Sequence, residues 1–141
     1  MSPSTRTRES RRAAATVELA ICLPVVLTIA FGTIDICSVL FLKESLTLAA
    51  YEGARAGMPQ GGTNAIASSK VFSILEDRGI QFNRSNAVSI STPGFDNASE
   101  LTHITVKVQV AANENTVSLS RLFFGKQIEA QVVCVKQFKN E

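Results

Sequence analysis

One histidine and three cysteines are the residues of this chain best suited to metal or nucleophilic chemistry. His103 stands on the polar side of an alternating run. Ile104, Val106, Val108 and Val110 form the apolar side, against His103, Thr105, Lys107 and Gln109. That pattern is a half-buried strand with the histidine in solvent. A lone histidine cannot complete a four-ligand zinc site of the usual kind. Cys22 and Cys37 fall inside an apolar run, so Cys134 is the only thiol of the remainder. No disulfide framework follows, and Cys134 is expected to act as a small buried hydrophobe. There is no nucleophile elbow, dinucleotide fingerprint or P-loop, and Gly61-Gly62 reads as a linker. Asn83-Arg84-Ser85 and Asn97-Ala98-Ser99 fit the bare glycosylation sequon, a pattern of low specificity. The expectation is a protein that is not an enzyme, with no catalytic residue, metal or cofactor.

Two acids carry more information. Asp35 is the only charge between Leu19 and Leu42, and Glu18 stands at the near edge of that run. As a helix the run is about 36 Å long, more than the roughly 30 Å of a bilayer's hydrocarbon core. A buried core helix rarely stays apolar all round for that length, so residues 19–42 are expected to be transmembrane. A carboxylate deep in such a span costs about 2.5–3.5 kcal/mol on insertion scales, so Asp35 is expected to face protein or water. Arg6, Arg8, Arg11 and Arg12 against Glu9 give the leading segment +3, whereas the whole chain carries +2. A basic segment abutting a span fits the positive-inside rule, with the N-terminus cytoplasmic and the head periplasmic. The rest has no basic bias, so no nucleic acid is expected as a partner.

The elements around these residues follow from periodicity. Residues 1–12 are polar and expected to be disordered, with a helix beginning near Ala13. Pro24 is expected to kink it. Beyond the span, Leu46, Ala49, Ala50, Gly53, Ala54 and Gly57 recur at helical spacing, with Glu52 and Arg55 paired on the other face. Met58-Pro59 and Gly61-Gly62 end this rod, whose residues 14–57 span roughly 65 Å. Its Ala/Gly stripe is expected to admit another rod closely. A second helix is expected over Asn64–Arg78, with Ile66, Val71, Ile74 and Leu75 apolar and Gly79 as the stop. Strands are expected at Val88–Ile90, at His103–Val110 and at about Gln127–Phe138, the last covered on both faces near Val133 and Val135. Leu119–Phe124 reads as a short helical turn. The fold class is α+β: a long N-terminal transmembrane helix, then a small head (58–141) of one helix and a three-stranded antiparallel sheet.

The order of residues at the N-terminus is more specific. Arg11-Arg12, Ala13 to Glu18 and an apolar run with Pro24 resemble the class III processing site of type IV pilins. Ala14-Ala15-Thr16-Val17-Glu18-Leu19, Leu23-Pro24, Phe31-Gly32-Thr33-Ile34-Asp35 and Ala50-Tyr51-Glu52-Gly53-Ala54-Arg55-Ala56 look like the TadE-like family of minor pseudopilins in the Flp/Tad (tight adherence) pilus system. The resemblance covers residues 11–57. It departs from the family at Ala13, where Gly is usual, and at Asp35, where Glu is frequent. It implies a pilin-like fold and cleavage between Ala13 and Ala14 by a prepilin peptidase, so that residues 1–13 are a leader. It also implies residence in the bacterial inner membrane and periplasm, and a role in priming or assembling the pilus, with adhesion and secretion as the associated processes. The partners would be other pilin or pseudopilin subunits, the inner-membrane assembly platform and the lipid bilayer. Glu18, Pro24, Asp35, Gly53 and Gly57 would be the residues of lateral assembly. The rival reading is a membrane-tethered periplasmic binding or sensor module, which needs a pocket with converging polar groups.

Overall fold

In the computed structural model, helix α1 (Ser4–Gly57) runs for 54 residues, about 80 Å at the usual rise per residue. The structure describes residues 4–117 and 125–136, with side chains from Arg12 onward. Residues 4–12, expected to be disordered, continue the helix. Their Arg and Glu content suits it, and no glycine or proline interrupts the segment before Pro24. Pro24 lies inside α1. It has no N–H to meet the carbonyl of Ala20, yet the helix continues on both sides.

Every serine and threonine hydroxyl of α1 from Thr16 onward turns back on the helix. Thr16, Thr28, Thr33, Ser38, Ser45 and Thr47 each donate to the carbonyl four residues earlier, at 2.7–3.0 Å. A hydroxyl satisfied in this way exposes little polar demand to its surroundings.

The chain then reverses. Thr63 caps α2 (Asn64–Asp77), its hydroxyl accepting from the Ile66 amide at 3.2 Å. This helix runs back along α1, so that Ala67 and Val71 lie beside Gly53 while Arg78 reaches Ser45. Val71 and Leu75 are buried as their spacing predicts, whereas Ile66 is exposed. The sheet follows. Strands β1 (Val88–Ile90), β2 (His103–Ala111) and β3 (Gln127–Val135) pair antiparallel in the order β1-β2-β3. The register sets Val88 opposite Val108 and Ile104 opposite Cys134. Strand alternation sends Ile104, Val106, Val108 and Val110 inward with Ala130 and Cys134, and His103 outward. One apolar cluster joins these residues to Leu42, Leu46, Ala49, Ala50 and Ala54 of α1 and to α2.

Three details differ from the sequence expectations. Single-turn helices α3 (Gly94–Asn97) and α4 (Ala112–Asn115) are additional. They are shorter than any window in which helical periodicity can register. Val133 is 59% exposed, so only one face of β3 is covered there. The expected turn at Leu119–Phe124 and the end of the last strand at Phe138 lie outside the described residues. Asn115 holds the corner below the sheet. Its amide accepts from Gln81 N at 2.6 Å and donates to Gln81 O at 2.8 Å and Ala111 O at 2.9 Å.

Candidate assembly surface

Two stretches of α1 have opposite surroundings. From Val17 to Ile34 the large apolar side chains are 43–68% exposed. They project on all sides, since exposed positions run without a break from Arg12 to Phe31. From Asp35 onward one stripe is buried: Asp35, Leu42, Ser45, Leu46, Ala49, Ala50, Gly53, Ala54 and Gly57. The steps of three, four and seven keep this stripe on one helix face.

The upper stripe receives the head of the same chain. A Cβ at Gly53 would collide with Val71 Cγ2 and lie 3.1 Å from the Ala67 carbonyl oxygen. A Cβ at Gly57 would come within 2.7–2.8 Å of three ring atoms of Phe95. Small residues are needed here because α2 and α3 approach the rod's backbone. The space beside Gly53 and Gly57, expected to admit a neighbouring rod, is taken within the chain. The small-residue pattern signals close approach but does not say of what.

Asp35 is 1% exposed. It stands on the same face as Leu42, Ser45 and Leu46, at the lower end of the seam and inside the expected span 19–42. Glu18 differs in every respect. It lies on the bare stretch, is exposed, and has no ion-pair partner among the described residues. Ala13 and Ala14 are exposed on helical backbone. The expected solvated pair joins Arg55 Nη1 to Glu52 Oε1 at 3.8 Å. With this exposure it contributes little stability.

α1 from Arg12 to Gly57 is long and apolar enough to cross a membrane. Residues 13–55 match the TadE-like protein family. The match ends two residues short of the helix terminus and leaves the head out. It coincides with the segment expected to resemble that family. No curated protein and no solved structure matches the chain. Within the TadE-like segment, Glu18, Pro24 and Asp35 sit at three levels of one helix, with only Asp35 in the head's seam.

The outer side of the TadE-like segment carries an open apolar groove of about 550 Å³. Leu40, Thr47, Leu48 and Tyr51 line it together with Val132 of β3, beside Lys43 and Glu44. Sequence reasoning placed Leu40 in the span and Val132 in the last strand and did not bring these positions together. Their signal was an apolar spacing of eight and three, Leu40, Leu48 and Tyr51, on the side away from the Ala/Gly stripe.

The head contains a second feature missed in the sequence. Lys136 is fully buried, donating from Nζ to Phe95 O at 2.6 Å and Gly62 O at 3.2 Å. Its ammonium also lies 5.9 Å from the centre of the Phe95 ring. Alternation could have revealed it: Ala130, Cys134 and Lys136 share the inward phase of β3. Cys134 is the buried small hydrophobe expected, its thiol donating weakly to Ile104 O at 3.5 Å. Burial pushes that thiol's pKa up, with a lesser opposing effect from its backbone hydrogen bond. Among the described residues no group of acids, histidines and cysteines could hold a metal.

Proposed function

We propose that this protein is a minor pilin-like (pseudopilin) subunit of a bacterial Flp/Tad pilus or a related secretion machine. The observation that carries this reading is the coincidence of the TadE-like match, residues 13–55, with a helix that is bare and apolar from Val17 to Ile34. A helix apolar all round needs lipid or other apolar helices as its surroundings. A subunit that passes from membrane to assembly meets both in turn.

In this reading α1 anchors the chain in the inner membrane, N-terminus cytoplasmic and head periplasmic. A prepilin peptidase cuts between Ala13 and Ala14. The leader takes its arginines with it and leaves an α-amine at the membrane face. An α-amine has a pKa of about 7.7–8.0, so it is largely cationic at neutral pH. Glu18 then becomes the fifth residue, about 6 Å along the axis from the new terminus. In the apolar interior of an assembly an isolated carboxylate costs several kcal/mol. The amine of an incoming subunit relieves that cost only in the correct register. Pro24 supplies a point where α1 can bend as neighbours pack. The other subunits and the assembly platform would contact the bare stretch and the Leu40–Tyr51 groove rather than the Ala/Gly stripe, which the head occupies.

The test is N-terminal sequencing and intact mass of protein isolated from membranes, beside Glu18→Gln. The reading expects a mature terminus at Ala14 in both proteins, and loss of pilus incorporation or partner co-purification in the variant alone. A terminus elsewhere, or normal assembly by a correctly cut Glu18→Gln protein, would count against it. In that second case Glu18 would only complement the helix terminus, worth about 0.3–1 kcal/mol.

A further inference from the structure

A second cavity, about 330 Å³, opens where the head meets the rod. Phe41 and Ser45 of α1 line it with Arg78 and Ile80 after α2, and with Glu114 and Asn115 of α4. Its charged residues are held apart and in place. The Ser45 hydroxyl donates to Phe41 O at 3.0 Å and accepts from Arg78 Nη1 at 2.8 Å, which fixes the guanidinium at the cavity wall. Asn115 spends its amide on Gln81 and Ala111, which fixes the turn that carries Glu114. Among the described residues neither Arg78 nor Glu114 forms an ion pair. Among the described residues the cavity therefore offers a guanidinium and a carboxylate, neither of them in an ion pair.

The level of the cavity along α1 decides what it can meet. Counting about 30 Å of hydrocarbon from Leu19 reaches roughly Val39, and a headgroup layer of about 5–8 Å reaches roughly Glu44. Phe41 and Ser45 bracket that layer. Phe41 is 67% exposed, as suits a ring at the interface.

We infer that this cavity binds the headgroup of a zwitterionic phospholipid, a phosphoethanolamine, in the outer leaflet of the membrane that α1 crosses. The inference rests on the membrane-anchor reading above. A guanidinium offers parallel N–H donors to a phosphodiester. The headgroup's ammonium follows two carbons after the phosphate, and Glu114 is the acceptor of the right sign. Phe41 and Ile80 provide apolar contact for the start of the glycerol and acyl chains. An anionic headgroup without the ammonium meets Glu114 as a like charge and is disfavoured. The head would thereby be seated on the bilayer at a fixed height.

Native mass spectrometry of the full chain in detergent tests this, with short-chain phosphatidylethanolamine, short-chain phosphatidylglycerol and inorganic phosphate as separate probes. Phosphatidylethanolamine should be retained at least tenfold more than phosphatidylglycerol. Arg78→Gln should lower that retention at least tenfold. Glu114→Gln, a change at an exposed side chain, should abolish the preference between the two lipids without loss of fold. Equal retention of both lipids by the unaltered protein would overturn the inference, as would retention insensitive to Arg78→Gln. Inorganic phosphate held as strongly as the lipid would assign the cavity to a free anion instead. Flotation with vesicles lacking phosphatidylethanolamine reads the anchor separately: the chain floats if α1 is a membrane anchor, whatever the cavity binds.

Discussion

The two halves of α1 share one backbone geometry but solve different problems. Below Asp35 the helix presents Leu, Ile, Val and Phe on every side, and none of the described residues buries them. Above Asp35 its inner face narrows to Ala, Gly and Ser, and the head closes on it. Large apolar side chains suit surroundings that adapt to them, such as acyl chains or other helices. Small ones suit a fixed neighbour that must come near. The change of residue size along a single helix therefore separates a part left open to other surroundings from the part committed to the fold. Substitutions on the inner face of the upper half should act on stability, and those in the lower half or the Leu40–Tyr51 groove on assembly.

The sharpest break should come at Phe95, fully buried between Gly57 and Lys136. Phe95→Ala is expected to cost about 3–5 kcal/mol in denaturant unfolding of the full chain in micelles. A much smaller loss would mean that the head is not anchored to the top of the rod. A matched pair of glycine substitutions comes next. At Gly57 an added methyl meets the Phe95 ring, so Gly57→Ala should destabilise by about 1–3 kcal/mol. Gly32 has nothing within 4 Å of an added Cβ. Gly32→Ala should be neutral or gain up to about 1 kcal/mol from helix propensity. Equal effects at the two sites would erase the distinction between the halves.

Asp35 sits on the border and discriminates between two uses. If it serves only partner subunits, Asp35→Ala should leave unfolding unchanged and reduce co-purification alone. Its burial in the seam predicts a stability loss as well, about 1–3 kcal/mol for a buried polar group removed. The smallest effect concerns Cys134. Burial raises its thiol pKa above the ordinary 9.0, so the neutral thiol is favoured in the fold. The resulting stability is fully present below pH 9.0 and declines as pH rises through the higher folded pKa. Cys134→Ala should flatten the stability profile on that alkaline side, and an unchanged slope would place the titration elsewhere.

Much of this division was legible in the residues. Periodicity located α2, β1 and β2 closely, because their inward positions carry Val, Ile and Leu at regular spacing. The stripe of Ala49, Ala50, Gly53, Ala54 and Gly57 was legible as a site of close approach. Its occupant was not, because small residues record a distance and not an identity. Ser45 and Arg78 are far apart in sequence and show no pattern in common; only the reversal of α2 brings them together. Lys136 was hidden by residue type, since lysine is rarely buried unless its ammonium finds acceptors. The carbonyls of Gly62 and Phe95 supply them, one from the loop before α2 and one from the single-turn α3, whose positions the sequence leaves open. The departures at Val133 and residues 4–12 arise from context: an uncovered sheet face in one case and an uninterrupted helix in the other.

On the proposed function, the serine and threonine hydroxyls of α1 from Thr16 onward have a further consequence for movement between phases. Each is already satisfied by the carbonyl four residues behind it. When the rod leaves one apolar medium for another, no hydrogen bond to the old medium has to be broken and none to the new one has to be found. The transfer free energy of those side chains is then close to that of hydrocarbon on both sides, and nearly cancels. The direction of travel is left to the charged groups, which gives a helix almost indifferent to its solvent except at its acids.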